Sequence, residues 1–232
     1  MVTFNECWYK KVCTQQECNE HCLRFLEMNY LMSHSGLPEK KQYPVPLTPS
    51  TCDVNAFIQL ADIKDDILNF TLNGENLYIT SRYCGNGKTT WAIKMLLKYF
   101  DEIWAGNGFK TRGLFIHVPT FFMRMKNNIS DRDEEFLQLR DSIMSADLVI
   151  WDEVANTGMT KYEYEQFLAY IDYRLLAEKS NIYTSNIVDL QDVQKILGVK
   201  LASRIYNNST VIELKGKDRR DGSITNNIES AE

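Results

Sequence analysis

Apolar residues along this chain alternate between two rhythms. Short β-branched and aromatic runs bounded by polar turns predict strands near 76–80, 113–118, 147–152, 181–185 and 209–215. Between them the apolar positions fall at helical spacing, predicting helices over 88–100, 120–128, 133–145, 161–178, 190–197 and 200–207. Strands alternating with helices predict an α/β fold, a three-layer sandwich around a parallel five-stranded sheet. Upstream, Cys22, Leu23, Phe25, Leu26, Tyr30 and Leu31 mark one more helix. Next comes a stretch holding four of the five prolines, which reads as an extended linker. Asp53 stands where it would cap a helix over 54–61, with a second short helix over 63–71. The expected organisation is a small helical module over 1–35, a linker over 36–52, the α/β body over 53–220 and a disordered polar tail over 221–232.

The 232 residues, 44% apolar with a net charge of −5, suit one sizeable domain with a small appendage. No apolar run approaches the ~20 residues of a membrane span. The N-terminus lacks a signal-peptide pattern, so a cytoplasmic protein with no membrane partner is expected. An acidic balance disfavours bulk coating of nucleic acid. Four of the six cysteines, Cys7, Cys13, Cys18 and Cys22, crowd the first 22 residues. In a reducing compartment such clustering favours metal over disulfides. They form either a structural zinc site, with His21 a possible substitute ligand, or a set of plain buried thiols.

Residues 81–90 carry the densest chemistry. Ser-Arg-Tyr-Cys-Gly-Asn-Gly-Lys-Thr-Thr follows the first predicted strand and opens a helix, the context a phosphate-binding loop requires. Gly85 and Gly87, with Asn86 between them, let backbone amides curl around an anion. Lys88 can reach the β- and γ-phosphates of ATP, the Thr89 hydroxyl can ligate magnesium, and Thr90 completes the loop. Arg82 stands where the strict pattern has its first glycine. The third strand, Leu148-Val149-Ile150-Trp151, ends in Asp152-Glu153. Asp152 would hold magnesium through water and Glu153 would activate the attacking water.

Further on, the strand Asn181-Ile182-Tyr183-Thr184-Ser185 ends at Asn186, which either faces the γ-phosphate and holds that water or simply starts a turn. Ser203-Arg204-Ile205 and Gly216-Lys217-Asp218-Arg219-Arg220 follow. Arg204 is either a finger acting in trans or a solvated surface arginine.

These motifs together resemble the bacterial and phage replicative-helicase loaders, the DnaC/DnaI/IstB-like branch of the AAA+ ATPases, over about residues 75–220. His117-Val118-Pro119-Thr120-Phe121-Phe122 also looks like the segment after the second strand in DnaI-type loaders. The resemblance implies an ATPase using ATP and Mg2+, with Lys88 and Thr89 as Walker A, Asp152 and Glu153 as Walker B, Asn186 as sensor 1 and Arg204 as arginine finger. Arg220, or its neighbour Arg219, becomes the sensor 2 candidate, although the fold it implies here has no helical lid domain. It further implies subunits that self-associate through their ATP sites and an N-terminal Zn2+-binding module that grips a hexameric replicative DNA helicase. The compact, cysteine-rich layout suits a phage-encoded loader. Helix 120–128 would line a channel for single-stranded DNA, with Arg124 and Lys126 on phosphates; the alternative buries Phe121, Phe122 and Met125 as core. Two other functions stay open: an IstB-like transposition ATPase, and a nucleotide-binding helicase adaptor or inhibitor with little turnover.

Overall fold

The computed structural model describes residues 21–42, 46–103, 108–130, 133–155 and 158–217, together with the backbone but not the side chains of 129 and 130 in that span. Five strands, β1 (Asn76–Thr80), β2 (Gly113–His117), β3 (Leu148–Asp152), β4 (Ser180–Ser185) and β5 (Thr210–Glu213), form one sheet in the order β2-β3-β4-β1-β5. Every pairing is parallel. The chain leaves β1 for the far edge and returns strand by strand, so β4 lands beside β1. The carboxyl ends of β1, β3 and β4 therefore open onto one crevice, where α/β sheets bind ligands.

Strand alternation sorts the core into two layers. Leu77, Ile79, Phe115, Leu148, Ile150, Ile182 and Ile212 face one way, onto α1 (Leu23–Ser33), α2 (Val54–Asp65), α3 (Ile67–Leu72) and α4 (Lys88–Ile103). Tyr78, Leu114, Ile116, Val149, Trp151 and Tyr183 face the other way, onto α5 (Val118–Ser130), α6 (Glu134–Ser145), α7 (Lys161–Leu176) and α8 (Leu190–Tyr206). This is the three-layer sandwich that the alternation predicts. The break expected between 197 and 200 lies inside α8, where Gly198 takes φ 74° and kinks the helix. The second short helix starts later than expected, at Ile67, because α2 runs on to Asp65.

The segment around residue 35 departs from the expected division into module and linker. Met28, Leu31, Met32 and Leu37 belong to the same apolar cluster as α2 and α4. The Ser35 carbonyl accepts the Phe115 amide at 2.6 Å, so this segment covers part of the exposed edge of β2. Gly36 is required there: it takes φ 71°, and a Cβ would stand 2.7 Å from the Phe115 carbonyl oxygen. α1 is thus packed on the body.

Arg174, in α7, is fully buried and organises the amino-terminal side of β3 and β4. Its guanidinium donates to Asn181 Oδ1 at 2.6 Å and to the carbonyls of Ile143 (2.7 Å), Ala146 (2.8 Å) and Ser180 (2.6 Å). Burial pushes its pKa down to about 10. Beside it, Asp147 accepts from Lys179 Nζ at 2.8 Å and from Arg112. Burial alone would raise that carboxyl, but these two donors hold it below its ordinary value. Arg174→Leu strands several buried acceptors and is expected to cost about 3 kcal/mol or more in denaturant unfolding; a loss below about 1 kcal/mol contradicts the hub.

Candidate nucleotide site

β1 ends at Thr80, and the chain turns through Gly85 (φ 70°) and Gly87 (φ 107°) before α4 begins at Lys88. Both glycines sit in the left-handed region that side chains disfavour, which explains their place in the loop. The amino end of α4 thus lines the crevice, where a helix start favours an anion. Lys88 Nζ donates to the Tyr83 carbonyl at 2.9 Å and to Asn86 Oδ1 at 3.5 Å, which holds the ammonium over the loop.

At the end of β3, Asp152 Oδ1 accepts from two hydroxyls, Thr89 Oγ1 at 2.7 Å and Thr184 Oγ1 at 2.6 Å. The phosphate-binding loop, the end of β3 and the end of β4 therefore meet on one carboxyl oxygen. Glu153 follows in a left-handed conformation, φ 63°, rare for a non-glycine residue. Its amide donates to Thr184 Oγ1 at 3.0 Å, which fixes the turn that presents its carboxyl. That carboxyl meets His117 Nε2 at 3.4 Å, and His117 Nδ1 meets Thr120 Oγ1 at 2.7 Å.

These groups surround a cleft of about 310 Å³, lined by the loop, Glu153, Thr184, Ser185, Asn186 and Leu47. A cradle of loop amides, one ammonium, and an adjoining hydroxyl–carboxyl pair of hard oxygen donors suit a nucleotide phosphate with magnesium. The site residues expected on the loop, at Asp152-Glu153 and at Asn186 are brought together. Asn86 differs in part from expectation. Its side chain is fully buried and serves the scaffold, donating to Ser81 Oγ and, at 3.2 Å, to the Leu214 carbonyl.

Arg204 stands apart from the cleft lining, half-exposed on α8, where Nε donates to Asp172 of α7. Arg82, at the position of the missing glycine, makes an exposed ion pair with Asp189 at 3.1 Å. On α5, Phe121, Phe122 and Met125 are buried, so they are core and leave no stacking platform for bases. Arg124 pairs with Asp133 at 2.9 Å, and that hydrogen bond holds the Asp133 carboxyl below its ordinary value. Lys126 pairs with Glu163 at 3.0 Å. Both candidate DNA-contacting cations are thus engaged within the chain.

Cys7, Cys13, Cys18, Arg219 and Arg220 lie outside the described residues. Cys22 is a free thiol at the start of α1. Among the described residues no group of three or more candidate ligands is placed to hold a metal ion, and no helix is long and apolar enough to cross a membrane.

The sequence missed three contributors. Thr184 and His117 sit beside the Asp152 and Glu153 carboxyls through strand register, His117 opposite Asp152. Asp53 stands at the start of α2 without capping it. Its carboxyl instead accepts the Lys215 amide at 2.6 Å and the Gly216 amide at 3.0 Å. Only the polar end of β4 hinted at Thr184.

No protein-family model matches the sequence, and no curated protein matches it. Solved structures do. The DnaC helicase loader superimposes with TM-score 0.62 at 19% identity, over 77% of this chain and 100% of that one. DnaI gives 0.59 at 18% identity, over 79% and 94%. The replication initiator DnaA bound to AMPPCP and single-stranded DNA gives 0.55 at 17% identity, over 77% of this chain and half of DnaA. The chain thus shares its fold with the solved structures of the DnaC helicase loader, DnaI and DnaA.

Proposed function

We propose that this protein is an ATP-dependent loader of a hexameric replicative DNA helicase onto single-stranded DNA at replication initiation. The observation that carries this reading is the meeting of Lys88, Thr89, Asp152, Glu153 and Asn186 around one cleft, on a body that superimposes on the whole solved chain of the DnaC helicase loader. In this reading Lys88 and the loop amides bind the triphosphate. Thr89, and Asp152 through water, would hold magnesium, which would neutralise developing phosphate charge. Glu153 takes a proton from the attacking water, and Asn186 fixes that water. Arg204 serves the nucleotide of a neighbouring subunit, so ATP assembles subunits side by side. Single-stranded DNA and the helicase are the partners, and Arg220 remains a sensor 2 candidate.

The domain scheme follows the same reading, with one change. The cysteine-rich module is expected over 1–35, but α1 within that span packs on the body. Cys7, Cys13, Cys18 and Cys22 hold one zinc ion per chain, motivated by four thiols so close in sequence. Metal analysis of protein purified under reducing, chelator-free conditions should return about one zinc per chain, and a zinc-free preparation of folded protein contradicts it. Cys18→Ser should then weaken helicase capture and leave nucleotide binding largely intact.

The functional test is co-purification with the replicative helicase in the presence of ATP and single-stranded DNA. Capture of helicase, and not of a transposase, supports the loader. Capture of a transposase alone supports an IstB-like role instead.

A further inference from the structure

Beneath the phosphate loop lies a buried polar relay that neither the phosphate chemistry nor the apolar core requires. Asp53 and Asn86 are both fully buried. Asp53 Oδ1 accepts the amides of Lys215 (2.6 Å) and Gly216 (3.2 Å). Its Oδ2 accepts the Gly216 amide at 3.0 Å and the Ser50 hydroxyl at 2.7 Å. This carboxyl therefore fixes the backbone that leaves β5. Gly216 has no room for a side chain there, since a Cβ would stand 2.7 Å from Ser50 Oγ and would also crowd Asp53.

The same backbone holds the loop. Asn86 Nδ2 donates to the Leu214 carbonyl at 3.2 Å and lies 3.5 Å from that of Gly216. Its other end, Oδ1, receives Lys88 Nζ at 3.5 Å. Asn86 lies between the two left-handed glycines, so anchoring its side chain sets the height and curl of the whole loop. A second grip comes from the same stretch of chain as Asp53. Leu47 lines the cleft, and its methyls lie 3.4 and 3.5 Å from where a Cβ on Gly87 would stand.

We propose that Asp53 is a positioning residue for nucleotide binding, acting through Gly216 and Asn86 to hold the phosphate loop in its anion-receiving shape. Segment 47–53 is thereby coupled to nucleotide occupancy, which links the N-terminal part of the chain to the ATP site. The proposal rests on the nucleotide site assigned above. An acceptor facing two backbone amides and a hydroxyl cannot be replaced by an amide without turning one donor against another donor. A loop released from Asn86 must be ordered by the ligand itself, and affinity falls by that cost.

The experiment measures affinity for AMPPCP with magnesium in the full-length chain, well below the melting temperature, for Asp53→Asn, Gly216→Ala and Ser50→Ala. A core variant, Phe136→Ala, serves as a reference for destabilisation alone, since Phe136 packs on the far face of the sheet. Asp53→Asn and Gly216→Ala should each bind about 10- to 100-fold more weakly, with a smaller loss for Ser50→Ala, while folded Phe136→Ala binds as wild type. Should Asp53→Asn not fold, the Gly216 and Ser50 variants carry the test alone. Wild-type affinity in the folded relay variants overturns the proposal, as does an equal loss in Phe136→Ala. If the unaltered chain fails to bind AMPPCP, the nucleotide site and the relay fall together; if it binds and only Lys88→Ala loses binding, the relay alone falls.

Discussion

Lys88→Ala is expected to abolish nucleotide binding, whereas Glu153→Gln should bind ATP as wild type and lose turnover. Lys88 Nζ already sits over the loop, held by the Tyr83 carbonyl and Asn86 Oδ1, so it needs little rearrangement to meet a phosphate. Alanine removes the only side-chain cation lining the cleft among the described residues. Charge-assisted hydrogen bonds contribute about 1.5–3 kcal/mol each, and Lys88 can make more than one, so affinity should fall by about 10²-fold or more. Glu153→Gln preserves side-chain shape. It also preserves the Glu153 amide bond to Thr184 that fixes the turn. What it removes is the base, and general-base catalysis contributes typically 10²–10⁴-fold. Equilibrium binding and steady-state turnover separate the two roles. An equal loss of binding in both variants contradicts the assignments.

Arg204→Ala should leave the ATP affinity of the isolated subunit near wild type and suppress turnover and nucleotide-dependent assembly. Arg204 lies away from its own cleft, tethered by Asp172, on the half of α8 beyond the Gly198 kink. A guanidinium from a neighbouring subunit supplies transition-state charge only in the assembled state, and such fingers contribute on the order of 10³–10⁵ in rate. Arg204→Ala and Lys88→Ala subunits lack different halves of the composite site. Mixed together, some interfaces pair an intact loop with an intact finger. Recovered activity supports the trans arginine. A mixture that stays inactive although the two variants co-assemble removes it.

Much of the body is legible in the sequence because its signals are local. β1 matches the expected 76–80 at both ends, and α4 begins at Lys88, where the helix is expected to open. Gly198 interrupts α8 between the two helices expected over 190–197 and 200–207. The misreadings share one cause, which is distance along the chain. An aspartate just before an apolar helical run is a cap signal, and Asp53 stands at that position. Its acceptors are taken instead by amides 162 and 163 residues away. Arg174 carries no local signal that singles it out. Its acceptors come from the end of α6 and the start of β4, which no local pattern joins. The proline-rich stretch over 36–52 reads as an extended linker, yet Leu37 packs in the core, and the Ser35 carbonyl just before it accepts from β2. The aromatic and basic mixture of α5 was compatible with DNA stacking or with core. Burial of Phe121 and Phe122 decides for the core.

The most direct test of the account is transfer of the hexameric replicative helicase onto closed circular single-stranded DNA, where threading over an end is impossible. With this protein and ATP, helicase should become stably bound to the circle, and omission of the protein, or Lys88→Ala in its place, should leave it unbound. Helicase that binds circles equally well with and without the protein, under conditions where the two demonstrably associate, contradicts the loader.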